Sequence, residues 1–167
     1  MHRLIIFVLL FAAVFAGLAR SQAPRFSEED LQRLTGARWR GTLTYTDYRS
    51  AKKVSIPSEL TVTQAEGQGR AWLFEYVYPA EPKANGRRTV TLGEGGGVFD
   101  SEKVVERTGN GDGVVVIVTE KRGKDNDKDA LFRFTYTFGG SSFSIRKEVR
   151  PEGAAEFFER NRYSWER

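Results

Sequence analysis

Residues 39–45 have the sequence Trp-Arg-Gly-Thr-Leu-Thr-Tyr, in which apolar or small side chains alternate with polar ones. Successive side chains of a β-strand point to opposite faces, so this alternation predicts a strand with one buried face. Residues 71–78 repeat the pattern in a more apolar form, with Trp72, Phe74 and Tyr76 on one face. These two segments indicate an all-β protein.

The same period of two continues to the end of the chain. Further strands are predicted at 54–62, 88–92, 98–108, 114–119, 130–138, 143–149 and 157–165. Between two of them, Asn110-Gly111 and Asp112-Gly113 form a doubled turn signal, because both pairs tolerate positive φ. About nine strands at short spacing favour an antiparallel up-and-down β-barrel, since consecutive hairpins that close on themselves leave no exposed edge.

A short helix is predicted at 27–35, ahead of the first strand. Ser27 offers an N-cap hydroxyl, and the three acidic residues after it favour the positive end of a helix. Leu31 and Leu34 form one apolar stripe, and Gly36 ends the segment. We expect this helix to pack as a plug on one end of the barrel.

The first residues have the pattern of a secretory signal peptide. A short basic start precedes the uncharged residues 4–19, and small residues predict cleavage after Ala19, with Ala23 as the alternative. An uncleaved anchor is the other interpretation, but this run is shorter than the ~20 apolar residues that span a membrane. We expect a signal peptide at 1–19, a single domain at 24–167, and no stable membrane span after cleavage.

Composition excludes several classes of protein. The chain has 0 Cys, and its 1 His and 1 Met lie in the predicted signal peptide. A disulfide scaffold, a Cys/His zinc site and a Cys or His nucleophile–base pair are therefore excluded. No Asn-x-Ser/Thr acceptor is present either, which favours a bacterial periplasmic or secreted location. The net charge of +4 is spread among interspersed acids and bases, so we expect no nucleic-acid partner, and we predict no metal and no cofactor.

Three glycine- or acid-rich segments are interpreted as turns. The segments 93–97 and 109–113 are rich in glycine, but each precedes a strand rather than a helix, so neither fits a phosphate loop. Residues 125–129 have the sequence Asp-Asn-Asp-Lys-Asp, which is typical of a solvated hairpin tip. Weak calcium binding is the alternative for this segment, although the Gly and Glu of an EF-hand loop are absent.

Residues 31–41, Leu-Gln-Arg-Leu-Thr-Gly-Ala-Arg-Trp-Arg-Gly, resemble the entry of calycin-type barrels, the lipocalins and fatty-acid-binding proteins. In those families a short helix leads to a glycine and a tryptophan at the start of the first strand. Here Gly36 and Trp39 have the spacing Gly-x-x-Trp, where Gly-x-Trp is usual. The resemblance implies a calycin-like barrel with an interior pocket for a small, largely apolar ligand, and a floor closed by Trp39.

The candidate ligand-binding residues are mainly aromatic side chains on strand faces. They are Trp39, Tyr45, Trp72, Tyr76, Phe134, Tyr136, Arg146 and Tyr163. Buried tyrosines need partners for their hydroxyls, so these rings either fill a solid core or surround a cavity with polar tips. Arg146 faces solvent if the apolar residues of 143–149 face inward. If the polar face is inward, Arg146 anchors a ligand carboxylate.

Three functions are compatible with this pattern. The first is a secreted or periplasmic lipocalin-like binding protein for a small apolar or amphipathic ligand. The second is a non-catalytic envelope or protein-interaction barrel with a filled core. The third is a cofactor-independent barrel enzyme that uses tyrosine or carboxylate groups, for which the strand acids are Asp47, Glu75, Glu106, Glu148 and Glu159. The sequence fixes no distance between any two of these acids, and we predict no catalytic residue.

Overall fold

The structure is a computed structural model that describes residues 23–47, 50, 52–109 and 111–167. The predicted signal peptide at 1–19 lies outside the described residues. Within the described ranges the chain forms one α-helix, α1 (Glu28–Gln32), two short 3₁₀ turns and ten β-strands. The strands are β1 Arg38–Thr46, β2 Lys53–Gln64, β3 Ala71–Val77, β4 Gly86–Thr91, β5 Val98–Phe99, β6 Glu102–Gly109, β7 Val115–Asp125, β8 Lys128–Phe138, β9 Ser142–Pro151 and β10 Phe158–Glu166.

The strands form one antiparallel sheet that is nearly closed into a barrel. Every strand from β1 to β4 and from β5 to β10 pairs with its neighbour in the chain, and β1 also pairs with β10. The remaining gap between β4 and β5 is bridged by Leu92 and Phe99 and by two backbone hydrogen bonds, Gly93 N to Val98 O at 2.9 Å and Asp100 N to Thr91 O at 2.8 Å. The predicted all-β, up-and-down barrel is confirmed.

The segment predicted as one strand at 98–108 forms two strands. Asp100 and Ser101 have φ of 48° and 65°, so two consecutive residues in the left-handed region reverse the chain between β5 and β6. Neither residue is a glycine, and the sequence therefore carries no strong turn signal at this point. The predicted hairpin tip at 125–129 is present, with Asn126 and Asp127 in the left-handed region between β7 and β8.

The helix is capped and tied to the barrel through Asp30. The Ser27 side chain accepts from the backbone N–H of Asp30, and Asp30 Oδ2 accepts from the backbone N–H of Ser27 at 2.8 Å, which completes a capping box. Arg107 of β6 donates to both carboxylate oxygens of Asp30, at 2.6 and 2.9 Å. The prediction of a short helix ahead of the first strand is confirmed.

The helix covers the end of the barrel at which β1 begins. Leu31 and Leu34 are buried in the main apolar cluster together with Trp39, and Trp39 Nε1 donates to Leu34 O at 2.9 Å. Aromatic rings fill this half of the interior in close contact, with Phe26 stacked on Phe99 at 4.2 Å between centroids. The barrel is therefore solid beneath α1.

Gly41 lets the first and last strands close the barrel. It pairs with Trp165 across the β1–β10 seam, and a Cβ atom at position 41 would lie 1.9 Å from the carbonyl oxygen of Ser164. No side chain fits at that distance. The glycine within the alternating sequence of β1 is therefore required by the close approach of β10.

Candidate functional site

The interior of the barrel changes character along its axis. On β7 the inward positions Val115, Ile117 and Thr119 are buried, and the next inward position is Lys121. On β9 the buried Ile145 is followed two residues later, on the same inward face, by Lys147. Both lysines lie in the half of the barrel away from α1. Here the apolar interior gives way to hydroxyl and charged groups.

A pocket of about 340 Å³ occupies this half of the barrel and is partly open to solvent. It is lined by Tyr76, Arg88, Lys121, Phe132, Phe134, Tyr136, Ile145, Lys147, Asn161 and Tyr163. These side chains come from β3, β4, β7, β8, β9 and β10, so the barrel closure itself assembles the pocket.

Four of the eight residues singled out from the sequence line this pocket, namely Tyr76, Phe134, Tyr136 and Tyr163. Trp39 and Trp72 are each 1% exposed in the packed cluster beneath α1. Tyr45 lines a neighbouring depression of about 360 Å³, between β1, β2 and β10, which shares Asn161 with this pocket. Alternation along the strands therefore identified the aromatic part of the pocket, but it did not separate the pocket from the packed end.

Arg146 lies on the outer face of β9 and does not line the pocket. Its neighbour Ile145 is buried, as is Val149 on the same face of the strand. The apolar residues of β9 therefore face inward. Arg146 Nη2 is 3.4 Å from Glu148 Oε2 and 3.5 Å from Thr135 Oγ1. The sequence left two orientations of this strand open, and in the structure its apolar residues face the interior.

A buried carboxylate lies next to the pocket. Glu102 of β6 is 0% exposed, and its Oε2 accepts from Thr119 Oγ1 at 2.5 Å and from Tyr136 Oη at 2.8 Å. Lys121 Nζ lies 3.4 Å from the other carboxylate oxygen. Burial raises the pKa of Glu102, although the hydrogen bonds from Thr119 and Tyr136 and the charges of Lys121 and Arg88 oppose that effect.

Glu102 was missed among the acids considered from the sequence. Asp47, Glu75, Glu106, Glu148 and Glu159 do not line the pocket. The available signal was that Glu102 precedes the buried Val104 by two residues and so shares its inward face. Its partners lie on β7 and β8, far along the chain, and the sequence alone does not bring them together.

Two lysines lie over aromatic rings inside the pocket. Lys121 Nζ is 5.4 Å from the ring centroid of Phe134, and Lys147 Nζ is 4.2 Å from that of Phe132. Lys147 forms no ion pair with any residue in the described ranges, and burial lowers its pKa below the ordinary lysine value. Arg88, at the rim, pairs with Asp100 at 3.3 Å. Alternation predicts apolar residues at the inward positions of a strand. It therefore did not identify these two inward-facing lysines as pocket residues.

The pocket tyrosines are neutral hydrogen-bonding groups. Burial raises the pKa of Tyr76 to about 12 and holds the pKa values of Tyr136 and Tyr163 above the ordinary tyrosine value. Tyr163 Oη lies 2.7 Å from Tyr78 Oη, where either hydroxyl can be the donor. Within the described residues the hydroxyl of Tyr76 has no hydrogen-bond partner, which leaves it available to a ligand.

A larger depression of about 600 Å³ lies at the tip of the β7–β8 hairpin. Its lining includes the charged residues Arg122, Lys124, Asp129, Arg150 and Glu152, and it has no aromatic ring. Binding pockets for small molecules are lined mainly by apolar and aromatic side chains with a few convergent polar groups. The pocket around Lys147 fits that description better despite its smaller volume.

The described part of the chain has neither a metal-binding cluster nor a membrane-spanning helix. There, no three His, Cys, Asp or Glu side chains converge in a way that could hold a metal ion. No α-helix of the described ranges has the length and apolar character needed to cross a membrane.

Comparison with models of known protein families found no match, and comparison with curated proteins found no significantly similar sequence.

Proposed function

We propose that this protein is a periplasmic or secreted lipocalin-like binding protein for a small amphipathic ligand, which it holds at the end of the barrel away from α1. The observation that carries the proposal is the pocket of about 340 Å³ in which aromatic rings and cationic groups converge. Its volume lies at the lower end of the ~300–1,000 Å³ range of small-molecule sites.

The packed end of the barrel supports a pre-formed site. Trp165 is stacked between Tyr163 at 4.8 Å and Phe143 at 5.6 Å, so one wall of the pocket continues directly into the solid core. A wall held in this way does not have to be ordered when a ligand enters, and pre-organisation lowers the cost of binding.

The alternative is a protein-interaction or envelope barrel, supported by the same filled core and by an exposed apolar residue, Phe158, at 45% exposure. An interaction barrel has no need of a pocket with inward-facing lysines. We therefore rank it second. The potential of the pocket to bind small molecules is the property that separates the two functions.

The test is a titration with the fluorescent probe anilinonaphthalenesulfonate. The wild type is expected to bind one probe per chain with a blue-shifted emission. Asn161→Trp fills the pocket and is expected to weaken binding at least about tenfold, which corresponds to ~1.4 kcal/mol. Arg162→Trp is the matched control, because it adds the same ring to the exposed, outward-facing next position of β10.

Loss of binding in Asn161→Trp with retention in Arg162→Trp supports the proposal. No binding to the wild type, or equal binding to both variants, contradicts it.

A further inference from the structure

We propose that the ligand is an organic monoanion, whose acidic group binds against Lys147 while its apolar body contacts the rings of Phe132 and Phe134. This inference rests on the proposed function and names the class of ligand.

The charged side chains that line the pocket are not all paired. Three cations line it, Arg88, Lys121 and Lys147. Arg88 is paired with Asp100 at 3.3 Å, and Lys121 is paired with Glu102 at 3.4 Å. Lys147 forms no direct ion pair with a described residue, so the lining carries one positive charge that no salt bridge neutralises. A ligand with one negative charge neutralises it.

Lys147 is held over two aromatic rings. Its Nζ lies 4.2 Å from the ring centroid of Phe132 and 5.9 Å from that of Phe134. A cation over a ring face is attracted by it but keeps its N–H donors, because the ring accepts no conventional hydrogen bond. The carboxylate whose charge acts most strongly on Lys147 is that of Asp125, which is itself paired with Arg160 at 3.8 Å. The ammonium group is therefore held in place and still able to donate to an anion.

Two neutral donors converge on the same space. Tyr76 and Asn161 line the pocket, and neither side chain forms a hydrogen bond with a described residue. Asn161 stands opposite Lys147 in the β9–β10 pairing. A phenol and an amide can both donate to an acidic group, and donors around an anion strengthen the charge-assisted bond to the lysine.

The residues that line the pocket disfavour ligands with any other net charge. A cationic ligand is repelled by Lys147, whereas a second negative charge on the ligand has no cation left to pair with, because Arg88 and Lys121 are already paired with Asp100 and Glu102. A neutral ligand leaves the charge of Lys147 without an anionic partner. A single acidic group on an apolar body is the chemistry that these residues match.

The test compares decanoate with decanol, which have the same chain length and differ in charge. Calorimetric titrations are made on the wild type, Lys147→Met, Lys147→Arg and Lys103→Met. Methionine keeps the apolar stem over Phe132 and removes the charge. Arginine restores the charge. Lys103, exposed on the outer face of β6, is the matched control.

We expect the wild type and Lys103→Met to bind decanoate at least about tenfold more tightly than decanol. Lys147→Met is expected to lose that preference while its affinity for decanol stays the same, and Lys147→Arg is expected to recover most of it.

Equal affinity of the wild type for acid and alcohol overturns the inference but leaves the proposed function standing. An unchanged preference in Lys147→Met also overturns it. Failure of both compounds to bind the wild type contradicts the proposed function, and the inference fails with it.

Discussion

Asp30 is a carboxylate with 1% exposure that is held by two hydrogen bonds from Arg107. Replacing it by Asn leaves the guanidinium without its charged partner at a partly buried site. We expect Asp30→Asn to lower the free energy of unfolding by about 2–4 kcal/mol in urea titrations, because breaking a buried pair leaves an uncompensated charge. Glu29→Gln, an exposed change on the same helix, is the control and is expected to cost less than about 0.5 kcal/mol.

The pH dependence of this contact has a definite sign. Burial alone would raise the pKa of Asp30, but the hydrogen bonds from Arg107 and Ser27 outweigh burial and hold the pKa below its ordinary value. The contact therefore stabilises the fold above the ordinary aspartate pKa, and this stability is lost as the pH falls through the folded-state pKa. A cost for Asp30→Asn that does not shrink in acid would contradict this account.

Glu102 has the opposite dependence. Because burial raises its folded-state pKa, its contribution to stability is complete below the pKa of the unfolded chain and is lost as the pH rises through the folded-state value. Gln at this position keeps an oxygen acceptor for Thr119 and Tyr136 but does not titrate.

We therefore expect the stability of the wild type relative to Glu102→Gln to fall as the pH rises from the ordinary glutamate pKa of about 4.3 through the raised folded-state pKa. Thermal unfolding of both proteins across this range measures the difference. A difference that stays constant, or that rises with pH, would show that the carboxylate is not held in a desolvating site.

At the level of elements, the seam between β1 and β10 depends on one glycine. We expect Gly41→Ala to cost about 2–4 kcal/mol, because its Cβ would overlap the carbonyl oxygen of Ser164 and force the strands apart. Gly140→Ala, where a Cβ meets nothing within 4 Å, is the control and is expected to stay within about 0.5 kcal/mol. Similar denaturation midpoints for the two variants would contradict the close approach.

The sequence predicted most of the elements because their signals are local. The N-cap at Ser27 and the alternation in residues 39–45 each lie within a few residues, and both predictions are confirmed. The reversal at Asp100 and Ser101 was missed because it uses left-handed residues that are not glycine. Local patterns do not reveal a turn that the surrounding sheet imposes.

At the scale of the whole molecule, the barrel has a packed half and an open half. The sequence left a solid core and a cavity as alternatives, and the described residues contain both. Alternation predicted the inward rings of Tyr76 and Tyr136. It could not predict which end would be filled, because that depends on where α1 packs. The calycin resemblance and the secreted location stay predictions.

The charged part of the pocket could not be predicted from the sequence alone. Lys121 and Lys147 share the inward face of their strands with buried neighbours, and both lie where the barrel opens to water. That location follows from closure of the whole sheet. The carboxylate of Glu102, with partners on two other strands, depends on the same closure.

Native mass spectrometry can show whether the pocket holds a ligand. The protein is purified without detergent and measured before and after incubation with a bacterial lipid extract. The account predicts one reproducible adduct per chain, of small-molecule mass and carrying an acidic group, that is retained by Arg162→Trp and absent from Asn161→Trp. A protein mass without adduct under both conditions, or an adduct of equal abundance in Asn161→Trp, would contradict the assignment of the pocket as a ligand site.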